Sequence, residues 1–422
     1  MSRRGTDYQG RRQTYLPSGK GLMTGHRAEW RARSQTIPSD PPSVLLIGCG
    51  AVGSVISRHL CASDAIDNVV LADVNGDLAK RVAVHLGSRK ARATQLDAND
   101  GDQLHMAMRG CGLVINAALP RFNKPIQRAA LEAGLHYVDL ANDSPDPFKD
   151  PGEWASRGLT AILGMGEDPG LSNVFARHAA DGMDRVDSIK VRDGDTASSS
   201  EYPFIALFSP ETFVEETLSS SRIWRDGAYE SVPPLGEFEM YEFPPPIGAL
   251  PVYSVDHEEV DTLPQFIGKG VRYVDFKLSL DPPTVQGLKS FRDLPDGPGA
   301  RKTALSAIPR PADLVGRVDG NAALLVEVAG TKDGERRVHT LYTVMGHPEA
   351  AEKFGATATA YLTGTGAAVA TLLLASGRIR KRGKLSPENL DPRPFFPMLE
   401  ERGIAVHERV SQDRPPAQPL RA

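Results

Sequence analysis

The feature that most constrains this chain is a glycine cluster at the seam between a buried strand and a helix. Val44-Leu45-Leu46-Ile47 is a continuous apolar run, the pattern of a strand covered on both faces in a parallel sheet. It leads into Gly48-Cys49-Gly50-Ala51-Val52-Gly53, after which Val52, Val55, Ile56 and Leu60 recur at helical spacing. A second apolar run, Val69-Val70-Leu71-Ala72, ends on Asp73, twenty residues past Gly53. A lone G-x-G-x-x-G is weak. Framed by a strand, a helix and a following acid within about thirty residues, it predicts a dinucleotide site. Gly48 permits the tight turn, Gly50 lets the backbone approach a pyrophosphate, and Gly53 lets the helix pack on the strand. The helix start at Ala51 and Val52 turns unpaired N–H groups toward the phosphates. Asp73 would accept hydrogen bonds from the ribose hydroxyls and repel a 2′-phosphate, and Val74-Asn75 offers no arginine to accommodate one. NAD is therefore expected, with NADP second.

The strand–helix alternation continues. Ala91–Leu96, Gly112–Ala118, His136–Leu140 and Thr160–Met165 read as strands, with helical patterns between them. This predicts an α/β chain with a doubly wound parallel sheet of the Rossmann type. Ligands bind at the carboxyl ends of such strands, which makes Asp97, Asn116 and Ala117 candidate cofactor neighbours and Asp139 a candidate substrate contact. From 186 to 345 the rhythm is lost. Val186–Arg192, Tyr273–Leu280, Ala322–Ala329 and His339–Met345 read as strands with few helices between them, so a second α+β domain with a mixed sheet, suited to subunit pairing, is expected.

At 422 residues the chain has room for two or three domains. Its formal charge of −4 and pI near 6.2 argue against a nucleic-acid partner. Cys49, Cys61 and Cys111 form no CxxC, so neither a disulfide scaffold nor a zinc module is expected, no metal ligands are assigned, and a reducing cytoplasm is the natural home. Residues 1–42 carry eight basic residues against three acids and no apolar periodicity, which reads as a disordered arm without a secretory signal. Residues 356–375 hold no charge. Five threonines and two glycines make that run only mildly hydrophobic, so a core helix rather than a membrane span is expected.

These residues resemble the saccharopine dehydrogenase family. The resemblance rests on Ile47–Gly53, on Leu113–Ala118, on Ala133-Gly134-Leu135-His136-Tyr137-Val138-Asp139-Leu140, and on Gly166-Glu167-Asp168-Pro169-Gly170-Leu171-Ser172-Asn173. Within the family the pattern is closest to lysine 6-dehydrogenase, through Leu71–Val74, Gly330–Gly334, Ala358–Tyr361 and the stretch from Arg380 to Ile404. It implies a dinucleotide domain (43–185) interrupted by a substrate and dimerisation domain (186–345), C-terminal helices returning to the first domain (346–410), and a short tail (411–422). It also implies a homodimer or homotetramer and a small amino-acid or polyamine substrate, with neither nucleic acid nor membrane as partner. The implied reaction is NAD-dependent oxidation of an amine carbon of L-lysine or a lysine-derived secondary amine. The alternatives are a transferase or lyase that uses bound NAD internally, like homospermidine synthases and cyclodeaminases, and a non-catalytic NAD-binding protein.

Amine oxidation needs a hydride acceptor and a group that takes the nitrogen's proton. Two segments that the family places at the cleft supply candidates. In the first, Glu167 is a substrate contact, Asp168 a base or ammonium anchor, and Pro169 is expected at the first position of a helix whose amino terminus faces a substrate carboxylate. In the second, His257 titrates in the range suited to proton shuttling. Lys277 sits mid-strand among apolar residues, where burial would favour its neutral, basic form. Glu201 is a further candidate substrate contact.

Overall fold

The computed structural model describes residues 41–142, 147–295 and 298–412. What was expected of residues 1–40 and 413–422 lies outside them. The first half is built on short strands, apolar and buried at the centre of the sheet and more polar at its β3 edge: β1 (Val44–Ile47), β2 (Val69–Asp73), β3 (Ala91–Gln95), β4 (Leu113–Asn116), β5 (His136–Asp139) and β6 (Thr160–Ile162). The middle of the chain supplies β7 (Arg185–Asp195), β8 (Ser221–Arg225), β9 (Ala228–Val232), β10 (Glu239–Phe243), β11 (Gly248–Ser254), β12 (Tyr273–Ser279), β13 (Asn321–Lys332) and β14 (Glu335–Gly346). Two late strands, β15 (Gly383–Leu385) and β16 (His407–Gln412), complete the set.

The first sheet has the order β15-β6-β5-β4-β1-β2-β3, with every pairing parallel. Strand order reverses beside β1, which opens a crevice at the glycine cluster. The second sheet runs β10-β11-β12-β7-β13-β14-β16, with the β8–β9 hairpin joined to β12. It is mixed: β12 and β7 run parallel and their outer neighbours antiparallel. The expected two-sheet α/β architecture is the one observed.

The chain returns to the first sheet through the uncharged helix Ala358–Ala375 and through β15. The helix is 89% buried inside the chain and lies against the Ala51–Cys61 helix. Its glycines make that contact possible. A Cβ on Gly364 would lie 2.7 Å from the Val55 Cβ, and one on Gly366 would lie 2.5 Å from the Gly166 carbonyl oxygen. Two helical positions apart, these glycines touch the helix that follows the glycine loop and the loop that carries Glu167 and Asp168. The end of the chain departs from the expected boundaries. His407–Gln412 does not belong to a helical return or a loose tail but pairs with β14 as an edge of the second sheet, satisfying backbone groups that β14 would otherwise leave open.

Candidate active site

The crevice is shaped by two glycines and left open by a third. Gly48 has φ +98°, and a Cβ there would stand 2.6 Å from the Ala117 carbonyl. A Cβ on Gly53 would stand 2.0 Å from the Gly48 oxygen. At Gly50 the same construction meets nothing within 4 Å, so the backbone is bare where a pyrophosphate would approach. The Ala51–Cys61 helix starts there with no side-chain cap and no acid in its first turn, leaving amino-terminal N–H groups to an anion. Asp73 is held by the Cys49 N–H (2.8 Å to Oδ2) and the Asn75 N–H (2.8 Å to Oδ1), at the end of the next strand. Ala117 donates its N–H to the Ile47 carbonyl at 2.7 Å and lines the loop. These residues fit a dinucleotide.

Three strand-end candidates turn inward to their own loops. Asn116 is buried, donates to Asn123 Oδ1 at 2.6 Å and accepts from the Ala118 N–H at 3.0 Å. Asp97 accepts from the backbone and side chain of Asn99, both at 2.9 Å. Asp139 is fully buried, with Oδ1 bonded to the Gly164 N–H at 2.7 Å and Oδ2 to Gln127 at 3.3 Å. Burial raises its pKa to about 7. Asp139 therefore pins the loop after β6 instead of offering itself to a substrate. Glu201 is on the surface, paired with Arg317 at 3.2 Å.

The segment Gly166–Gly170 folds differently from expectation. Pro169 follows a cis peptide bond and lies outside the helix, whose cap is Gly170 and whose first residue is Leu171. The Leu171 and Ser172 N–H groups are taken by the Gly166 and Glu167 carbonyls at 3.1 and 2.9 Å, and the Gly170 N–H by Asn173 Oδ1 at 2.8 Å. These three N–H groups are therefore already engaged and not offered to a substrate carboxylate. The same turn instead sets the side chains of Glu167 and Asp168 into a nest of acids. Burial, then Asp168 and Asp193, push the Glu167 carboxyl well above the usual range, and burial, then Asp193, do the same to Asp168 against the opposing charge of His257. Asp168 Oδ2 is enclosed without a hydrogen-bond partner.

His257 sits inside this nest. Its side chain is 7% exposed and its ring lies flat on Phe276, 3.7 Å between centroids. Nδ1 is bonded to Glu259 Oε2, and Glu259 Oε1 accepts from Ser172 Oγ at 2.7 Å, so the imidazole is anchored to the helix that follows Asp168. Burial disfavours its charge, but the carboxylates of Glu259, Glu216 and Glu258 outweigh that and hold its pKa well above the ordinary value. Asp193, on β7, rises to about 7 through burial and Asp195, and Glu216 to about 8 through burial. Asp195 in turn contacts His347 Nε2 at 3.1 Å. Glu258 is bonded to the Asn142 N–H at 2.6 Å and borders a cavity of about 170 Å³ with Leu163, Gly164, Pro169 and Arg222. Asp193, Asp195 and Glu216 were missed in the sequence, where each is one acid among 53.

Lys277 is separated from this group by the strand that carries it. Side chains alternate along β12, and Phe276 faces His257. Lys277 points the other way, with Nζ 3.3 Å from Glu239 and 3.9 Å from Asp275. Arg192 completes that ion cluster with bonds of 2.9 and 2.8 Å to Asp275. Lys277 is thus a partner in a buried charge network and not a base beside Asp168.

Residues 44–162 match the saccharopine dehydrogenase NADP binding domain and residues 166–404 the saccharopine dehydrogenase C-terminal domain. The chain belongs to the saccharopine dehydrogenase family. It is an oxidoreductase of that family with an NAD(P)-binding domain. A carboxyaminopropylagmatine dehydrogenase from Synechocystis sp. is 28% identical over 87% of this chain and 98% of its own length. A carboxynorspermidine synthase from Vibrio alginolyticus is 29% identical over 90% and 99%. Apo saccharopine dehydrogenase (L-Glu forming) from Saccharomyces cerevisiae shares the fold, with a TM-score of 0.69 at 18% identity over 88% of this chain and all of that one. The names of the two sequence relatives denote carboxylated polyamines, where the resemblance to lysine 6-dehydrogenase implies L-lysine or a lysine-derived secondary amine.

Proposed function

We propose that this member of the saccharopine dehydrogenase family transfers hydride between NAD and the CH–NH carbon of a carboxylated polyamine. The observation that carries this reading is the nest of acids around His257, which joins Glu167, Asp168, Asp193, Glu216 and Glu259 beside the dinucleotide crevice. Buried carboxylates this close repel one another and hold protons near neutrality. A ligand with several cationic nitrogens relieves that repulsion, and a singly charged amine relieves less of it. The names of the sequence relatives support the same class.

The nicotinamide supplies the hydride acceptor or donor when bound. The chain's own part is to place and protonate. Because Nδ1 is engaged by Glu259, Nε2 of His257 is left to give or take the proton of the substrate nitrogen. Asp168, with its unbonded Oδ2, anchors an ammonium group. Asp73 selects NAD by accepting from the ribose hydroxyls. The test is to supply the purified chain with NAD and a panel of amino acids and carboxylated polyamines, following reduced nicotinamide and product mass. Turnover with carboxylated polyamines supports the reading; turnover with L-lysine alone, or product without net NADH, replaces it.

A further inference from the structure

Outside the active site, three side chains from distant parts of the chain bring metal-binding atoms together. His178 comes from the last turn of the Leu171–Asp181 helix, His339 from β14 and Glu408 from β16. One ligand atom from each lies within 4.8 Å of the other two. His178 Nε2 is 3.6 Å from Glu408 Oε1, and His339 Nε2 is hydrogen-bonded to that same oxygen. In a four-coordinate zinc site with bonds near 2.0–2.1 Å, neighbouring ligand atoms stand about 3.4 Å apart. The first separation already suits such a site, and the second reaches it by a small rotation of Glu408 on its edge strand. His339 is 10% exposed, while His178 and Glu408 are 27% and 22% exposed, which leaves one side open for a water as fourth ligand. Phe396 packs edge-on against the His178 ring at 4.6 Å, fixing its plane.

The chemistry of the donor set agrees. Two imidazole nitrogens and one carboxylate suit zinc or a neighbouring first-row divalent ion, and not calcium or magnesium, which prefer all-oxygen shells.

We propose that His178, His339 and Glu408 form a binding site for a divalent transition metal, zinc above all, that ties the edge strand β16 and β14 to the helix following the active-site loop. Spacings of 161 and 69 residues hide it from any sequence motif. The test uses tag-free full-length protein, stripped with chelator and titrated with Co(II) as a spectroscopic stand-in and with Zn(II). One Co(II) per chain should give the visible bands of a low-coordinate site, and Zn(II) should displace it and raise the thermal midpoint. His178→Gln, a change at the half-buried ligand, should weaken Co(II) binding at least about tenfold, the lower bound for disturbing a metal's ligand environment, and Glu408→Gln should do the same. No Co(II) band in the unmodified protein would overturn the assignment, as would equal uptake by His178→Gln. Loss of the band in His257→Gln but not in His178→Gln would also overturn it, placing the metal in the acidic nest.

Discussion

At the scale of single residues, the acidic nest and the charge cluster behind β12 make opposite demands on their members. Asp168 lies in the field of His257, whereas Lys277 pairs with Glu239 and Asp275. His257→Gln should lower kcat roughly 10²–10⁴-fold, the range for a positioned proton donor or acceptor, and Asp168→Asn, which removes the proposed ammonium anchor, should chiefly raise KM, while NAD affinity stays constant in both. Lys277→Met should leave kcat within a few-fold of the unmodified enzyme. The charge cluster answers to stability instead. Arg192→Met strands the fully buried Asp275 and should destabilise the fold by about 3–5 kcal/mol, read by denaturant unfolding. At the cofactor end, NAD should bind at least about tenfold more tightly than NADP, about 1.4 kcal/mol. Asp73→Ser with Val74→Arg should narrow or reverse that ratio, and equal affinities in the unmodified protein would remove Asp73 from cofactor choice.

Elements differ in how openly the sequence declares them. β1, β2 and β4 were legible because strands buried on both faces are mostly apolar, and the glycine loop because its crowding tolerates no side chain at Gly48 or Gly53. The hairpin β8–β9 and strands β10 and β11 were not, since these largely half-exposed strands around Pro233-Pro234 and Pro244-Pro245-Pro246 carry no clear period. His257 could be named from its chemistry. Its neighbours Asp193 and Glu216 could not, because tertiary packing alone brings β7 and the Pro210–Leu218 helix to it. The uncharged helix Ala358–Ala375 was legible as a core helix, but its contact with both the helix behind the glycine loop and the Gly166 loop was not. That double contact is testable. Gly364→Ala presses on the helix behind the glycine loop and should chiefly weaken NAD binding. Gly366→Ala presses on Gly166 and should chiefly lower kcat. Identical effects of both on NAD affinity and kcat would show general overpacking, at about 1–3 kcal/mol, instead of two addresses on one helix.

For the whole molecule, stored acid protons link stability to pH and to ligand. Asp139 and Asp193 are lifted from 3.8 to about 7 and Glu216 from 4.5 to about 8, so the folded chain binds these protons more tightly than the unfolded one. Their stabilising contribution is complete below about pH 4 and lost as pH rises through about 7 to 8. The thermal midpoint of the ligand-free protein should therefore fall between about pH 6 and pH 9. A polycationic ligand should restore it most at the alkaline end, where these carboxyls are ionised, and binding nearer pH 6 should release their protons. A ligand-free midpoint that rises over this range would mean the acids are not held protonated.

The most direct measurement compares kcat/KM for two carboxylated secondary amines identical except for one distal ammonium, replaced in the second by a neutral group of the same size, with NAD and near pH 8. The acidic nest predicts that the more cationic substrate is favoured at least about tenfold, about 1.4 kcal/mol of transition-state binding, and that Asp168→Asn erodes the preference. Equal kcat/KM for the pair, or a preference for the neutral analogue, would contradict a site built around polycation recognition.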